Sequence, residues 1–170
     1  MIVILNLNIY FLRYGLNPAI VNQSVISNCK ELSSVSYHLL SFAMILPFLF
    51  IAPTASMGRG VFTSAGIEAG TVVEISPVIV MEAKERILLD QTLLHDYIFE
   101  WGDERDRCCM ALGYAAVYNH SYNSNCEYEM DFEQELISIK TTREIGAGEE
   151  LFINYNGDWN DPKPVWFDAK

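Results

Sequence analysis

From Phe48 onward, short apolar runs alternate with turn residues, which predicts a set of small strands rather than long helices. Phe48 to Ala52 is expected as the first strand. Val61 to Thr63 follows, closed by Gly66; Thr71 to Ile75 and Val78 to Met81 read as separate strands with the turn residues Ser76-Pro77 between them. Ala83 to Leu94 sets Ile87, Leu88, Leu93 and Leu94 among charges and predicts one short helix. Tyr97 to Trp101 and Met110 to Ala116 read as short buried segments. Glu127 to Phe132 and Leu136 to Thr142 alternate as a hairpin turning at Glu133-Gln134-Glu135, and Leu151 to Asn154 is the last expected strand.

Upstream the pattern is different. Met1 to Ala43 carries only Arg13, Lys30 and Glu31 as charges, has neither a helical nor an alternating period, and is rich in Asn and Ser. Leu39 to Ala52 (LLSFAMILPFLFIA) is nearly uncharged, which raises a signal or anchor segment. It is too short to span a bilayer comfortably, holds Pro47, and runs straight into Met57 to Phe62, where a folded domain begins. The preferred division is therefore an atypical N-terminal extension over 1–43, not native if Met44 starts translation, a domain over 44–160, and a C-terminal tail over 161–170. The alternative is a protein anchored to a membrane through residues 39–52.

Composition narrows the function classes. With 170 residues, half of them hydrophobic, the chain supports one ordinary core. Its formal net charge of -11 repels phosphate backbones, which disfavours direct nucleic-acid binding, and attracts basic proteins or peptides. Cys29, Cys108, Cys109 and Cys126 form no C-x-x-C pair, so no metal is expected. They read as free thiols in a reducing, cytoplasmic setting, with Cys108 and Cys109 as small buried residues of a strand.

Three separated segments could carry chemistry. Gly58-Arg59-Gly60 is a turn device that also lets backbone come close to a small ligand, and no helix follows at the spacing of a dinucleotide loop. Asn119-His120-Ser121-Tyr122-Asn123-Ser124-Asn125 is either a surface loop of Asx turns or a polar run entering the interior between aromatics. Inside, its Asn and His side chains would need partners, and a purine ring is one. His120 in a hydrolytic triad is disfavoured, because no nucleophile elbow is present. Tyr155 ends an apolar strand, where a tyrosine ordinarily caps the core.

Taken in order, these segments resemble the motifs of the SET domain. They stand as Gly58-Arg59-Gly60-Val61-Phe62, Asn119-His120-Ser121-Tyr122-Asn123-Ser124-Asn125, and Gly148-Glu149-Glu150-Leu151-Phe152-Ile153-Asn154-Tyr155. The likeness covers about Phe48 to Trp159 and is nearest in style to the minimal SET proteins of bacteria and large viruses. It implies a β-rich fold of several small sheets around a pseudoknot, and transfer of a methyl group from S-adenosylmethionine to a protein lysine. It further implies that Gly58, Arg59, Gly60, Asn119 and His120 hold the cofactor, that Tyr97 lies near the cofactor or the substrate lysine, and that Tyr155 is the catalytic tyrosine. Tyr128 falls where the family tunes methylation number. The cysteine-rich zinc segment of larger relatives is missing, so another element must close the lysine channel: Trp159 first, with Trp166 and Phe167 as further candidates. A SET-like module that binds peptide or cofactor without catalysis is the alternative.

Overall fold

The computed structural model describes residues 43–167, so what the sequence leads one to expect of residues 1–42 lies outside the described residues. Ten strands carry the fold. They are β1 (Met44–Ile45), β2 (Leu49–Pro53), β3 (Arg59–Thr63), β4 (Val72–Met81), β5 (Phe99–Trp101), β6 (Arg107–Ala111), β7 (Asn119–His120), β8 (Cys126–Asp131), β9 (Leu136–Thr141) and β10 (Glu150–Ile153). Strands β5-β6-β4-β9-β8 form one sheet, with β1 also paired to β4, and β2-β3-β10-β7 form the other. The expected β-rich architecture of small sheets is the observed one.

Two local expectations need correction. Ser76-Pro77 does not break the chain into separate strands: β4 runs through it for ten residues. Pro77 falls between the residues paired with β1, which end at Ile75, and those paired with β6, which begin at Val78, so its missing donor costs the ladder little. Its carbonyl is still used, accepting the Leu112 N–H at 2.9 Å. The expected helix over Ala83 to Leu94 stops early. Helix α1 (Ala83–Leu89) opens on a capping box between Glu82 and Glu85. Thr92 then caps a separate 3-10 turn, Leu93–Tyr97, by accepting the Leu94 N–H on its hydroxyl. The apolar residues of this region are not core: Ile87, Leu88, Leu93 and Leu94 are all exposed. Arg86 ties the helix down instead, through Glu100 at 2.9 Å and the Arg105 carbonyl.

The segment Met110 to Ala116 likewise divides, into the end of β6 and a 3-10 turn, Ala115–Val117, that leads directly into β7. Cys108 and Cys109 are fully buried strand residues, as expected. Hairpin β8–β9 forms where the alternation placed it, its turn held by the Asp131 carboxylate on the Glu133 and Gln134 amides at 3.0 and 2.8 Å. One core of Val61, Trp101, Ile137, Ile139, Leu151 and Ile153 with their neighbours lies under both sheets. Among the described residues, no helix is long and apolar enough to cross a membrane.

Candidate active site

Strand β10 brings the three sequence motifs together. It pairs antiparallel with β3, setting Leu151 opposite Val61, and parallel with β7, setting Phe152 opposite Asn119 and Ile153 opposite His120. A parallel pair cannot be closed by a tight turn, so the chain between β7 and β10 leaves, builds β8 and β9, and returns. Asn125 locks the return. Its side chain, 2% exposed, donates to the Glu150 carbonyl at 2.8 Å and accepts the Phe152 N–H at 2.7 Å. An amide side chain here does the work of a neighbouring strand's peptide group.

The glycine motif closes on the same place. Gly58 has φ +74°, a left-handed conformation that glycine adopts without strain. Gly60 is buried against the third motif: a methyl group on it would overlap the Glu150 carboxylate and come within 2.9 Å of Asn119 Nδ2. That Nδ2 donates to the Arg59 carbonyl at 3.1 Å and to Glu150 Oε1 at 2.7 Å. Gly58 to Gly60 is thereby drawn against Asn119 and Glu150, and a side chain at Gly60 would have to push the Glu150 carboxylate and the Asn119 amide aside.

His120 lies beside this junction, 7% exposed. Its Nδ1 accepts the Tyr155 N–H at 3.2 Å, which puts the ring proton on Nε2. Burial lowers its pKa, so the ring is neutral. Nε2 is buried without a partner among the described residues. A buried donor left unpaired is costly, and a bound ligand that offers an acceptor would satisfy it. The glycine cradle and this orphan donor together fit a compact polar cofactor.

Tyr155 also lines a cavity of about 750 Å3, walled by Tyr97, Tyr118, Tyr128, Tyr155 and Trp166, with Asp96, Glu129 and Asp158 among its acidic lining. The Tyr155 hydroxyl donates to the Tyr118 carbonyl at 2.9 Å. Burial, reinforced by Asp96, pushes its pKa up to about 12, and burial does the same for Tyr128. Both hydroxyls keep their protons at neutral pH. Trp166 stacks on the Tyr155 ring at 5.8 Å between centroids, with 20° between planes.

The candidate residues thus fall into two groups meeting at Tyr155. Gly58, Arg59, Gly60, Asn119 and His120 gather at the junction of β3, β7 and β10, whereas Tyr97, Tyr128 and Tyr155 wall the cavity. Trp159 is in neither group: it is 39% exposed, outside the cavity wall, and engaged through its carbonyl, which accepts from the Ser124 N–H and hydroxyl at 3.1 Å. Of the C-terminal tryptophans, it is Trp166 that lines the cavity. The Tyr118 carbonyl is not visible to a reading of the sequence, because a main-chain acceptor leaves no mark on residue identity. Among the described residues, no group of His, Cys, Asp and Glu could hold a metal ion.

A last strand threaded between the glycine motif and the Asn-His strand, followed two residues on by a half-buried tyrosine, is the arrangement of a SET domain, and the sequence matches that family over residues 58–156. The chain belongs to the SET domain family. It is 36% identical over 121 residues, 71% of this chain and 77% of the relative, to a Schizosaccharomyces pombe histone-lysine N-methyltransferase described as H3 lysine-37 specific. It is also similar in fold to a Plasmodium falciparum protein described as a histone methyltransferase, with a TM-score of 0.50 and 23% identity, over 68% of this chain and 98% of that one.

Proposed function

We propose that this chain is a protein-lysine N-methyltransferase that moves a methyl group from S-adenosylmethionine to a lysine side chain. The observation that carries the reading is the placing of Tyr155, which lines the aromatic cavity and whose N–H is bonded to His120 at the junction of β3, β7 and β10. S-adenosylmethionine, when bound, supplies an electrophilic methyl group. Gly58 to Gly60 with Asn119 and His120 would hold it, the first by close backbone approach and His120 by its free Nε2–H.

The rest of the chemistry falls to the cavity. A lysine amine with an ordinary pKa of about 10.4 must lose its proton to become a nucleophile; desolvation between the aromatic walls would depress that value, against the pull of the acidic lining. The walls of Tyr97, Tyr128 and Trp166 suit the lysine stem and screen the amine from water. Tyr155, its pKa raised to about 12, is no general base at neutral pH. With its proton committed to the Tyr118 carbonyl, its oxygen is a fixed acceptor that orients the amine.

The acidic chain, with Asp96, Glu129 and Asp158 around the cavity, favours a basic protein substrate. The yeast relative makes a histone the first to try. Buried free Cys108, Cys109 and Cys126 support a reducing compartment such as the cytoplasm. The test is incubation with methyl-labelled S-adenosylmethionine and a panel of basic proteins, alongside Tyr155→Phe. Label should pass to lysine, and the variant should lose about 100-fold in kcat while still binding the cofactor. Cofactor binding without any transfer by the wild type would instead establish a binding module.

A further inference from the structure

The hydroxyl of Tyr155 is only as well aimed as the carbonyl that receives it. That carbonyl belongs to Tyr118, the residue that follows the 3-10 turn Ala115–Val117. The amides that open this turn do not find their acceptors within it. The N–H groups of Tyr114 and Ala115 both donate to Glu74 Oε1, at 2.6 and 2.9 Å.

Glu74 is an anomaly in its own strand. It is a fully buried carboxyl group in the apolar run of β4, with no cation paired to it among the described residues. A register shift between Val72 and Glu74 in the pairing with β9 places Val73 and Glu74 inside in succession. Ser76, the next inward residue, donates its hydroxyl to the same Oε1 at 2.6 Å. Three donors therefore converge on one oxygen. Gly113 makes the approach possible, since any side chain on it would overlap the Ser76 hydroxyl and the Glu74 carboxyl. The Tyr118 ring is 1% exposed, and burial and then Glu74 hold its hydroxyl firmly in the protonated form. Glu74 thus holds the turn where it opens, while its Oε2 and the Tyr118 hydroxyl are both buried without a hydrogen-bond partner among the described residues.

We infer that Glu74 is a positioning residue for the methyl transfer: by fixing the Tyr114 and Ala115 amides it sets the Tyr118 carbonyl, and through it the direction of the Tyr155 hydroxyl. The inference rests on Tyr155 being the catalytic tyrosine. Nothing in the sequence pattern marks Glu74, because its partners lie 40 and 41 residues away.

Three substitutions test it. Glu74→Gln keeps a carbonyl acceptor at the Oε1 position. Glu74→Leu keeps the bulk and removes the acceptor, and Glu74→Asp keeps the carboxyl but ends one bond, about 1.5 Å, short of the turn. If the leucine variant does not fold, the aspartate variant carries the test. Leu and Asp should lower kcat about 10- to 100-fold while the KM for a basic protein substrate and the Kd for S-adenosylmethionine stay within about twofold; Gln should rescue kcat to within about threefold of wild type. A role in stability alone would leave the folded enzyme's kcat intact or move all three constants together. Independently of turnover, the 13C resonance of the Tyr155 ring carbon that bears oxygen should shift in the Leu and Asp variants and stay in place in Gln. An unmoved resonance in Asp, or kcat at the wild-type level in it, overturns the inference. A wild type that transfers no methyl group overturns the proposed function instead, and the resonance still tests the positioning.

Discussion

Asn125 offers the sharpest test of how the threaded junction is held. Its side chain accepts the Phe152 N–H and donates to the Glu150 carbonyl, so two main-chain groups of β10 depend on one buried amide. Replacing it by alanine leaves both unpaired where water has little access, at about 1–3 kcal/mol each, or about 2–6 kcal/mol together. Against a total stability of about 5–15 kcal/mol that is a large fraction. Asn125→Asp separates the two bonds: it keeps an acceptor for Phe152 but turns a second oxygen toward the Glu150 carbonyl, so it should cost at least as much as alanine. Exposed Asn123, two residues earlier, provides the control, and Asn123→Ala should stay within about 0.5 kcal/mol of wild type. Urea unfolding followed by circular dichroism reads the difference. With a slope of about 1–3 kcal/mol per molar, the alanine variant should unfold about 1 M or more earlier. A loss under about 1 kcal/mol for Asn125→Ala would mean that strand pairing alone holds the crossing, and the account given for this residue would fail.

Further outcomes follow from the same geometry. Gly60→Ala must displace the Glu150 carboxylate or Asn119, so calorimetry should show S-adenosylmethionine binding weakened about tenfold or more in a protein that still folds. Tyr128→Phe removes a hydroxyl from the cavity wall and should raise the share of higher methylation states in mass spectra of the product; an unchanged distribution would remove Tyr128 from that role. Acid stability should depend on Glu149, whose pKa is depressed from 4.5 to about 2, chiefly by its hydrogen bond from Arg143. The folded state binds fewer protons there than the unfolded chain, so this contribution is whole above about pH 4.5 and is lost as pH falls through 2. Glu149→Gln should flatten that limb of the stability curve, and a limb of unchanged slope would count against the ion pair.

How much of this is legible in the sequence depends on whether the signal is local. Hairpin β8–β9 follows from alternation, and the buried pair Cys108-Cys109 from an apolar strand without metal spacing. The three motifs point to the family because glycine, asparagine and tyrosine are each needed by identity: Gly60 for want of space, Asn125 for its paired donor and acceptor, Tyr155 for its hydroxyl. What misleads is punctuation. Pro77 reads as a stop, yet at a changeover of partner strands a missing donor stops nothing.

The features hidden from the sequence share a different cause: they are set by partners far along the chain or by the main chain itself. Glu74 reads as a stray charge in an apolar run until the turn at Tyr114 folds onto it. Trp159 and Trp166 are equivalent by composition, but the Asn154 side chain holds the Asp161 carbonyl and the Asn156 side chain holds the Lys163 carbonyl, at 2.8 and 2.7 Å. Those two bonds turn the tail back along the strand end, which delivers Trp166 to the Tyr155 ring while Trp159 stays outside the cavity wall. The same two asparagines flank the candidate catalytic tyrosine, so the residues that end β10 also choose which aromatic stands beside it. That choice decides which C-terminal aromatic walls the cavity beside Tyr155.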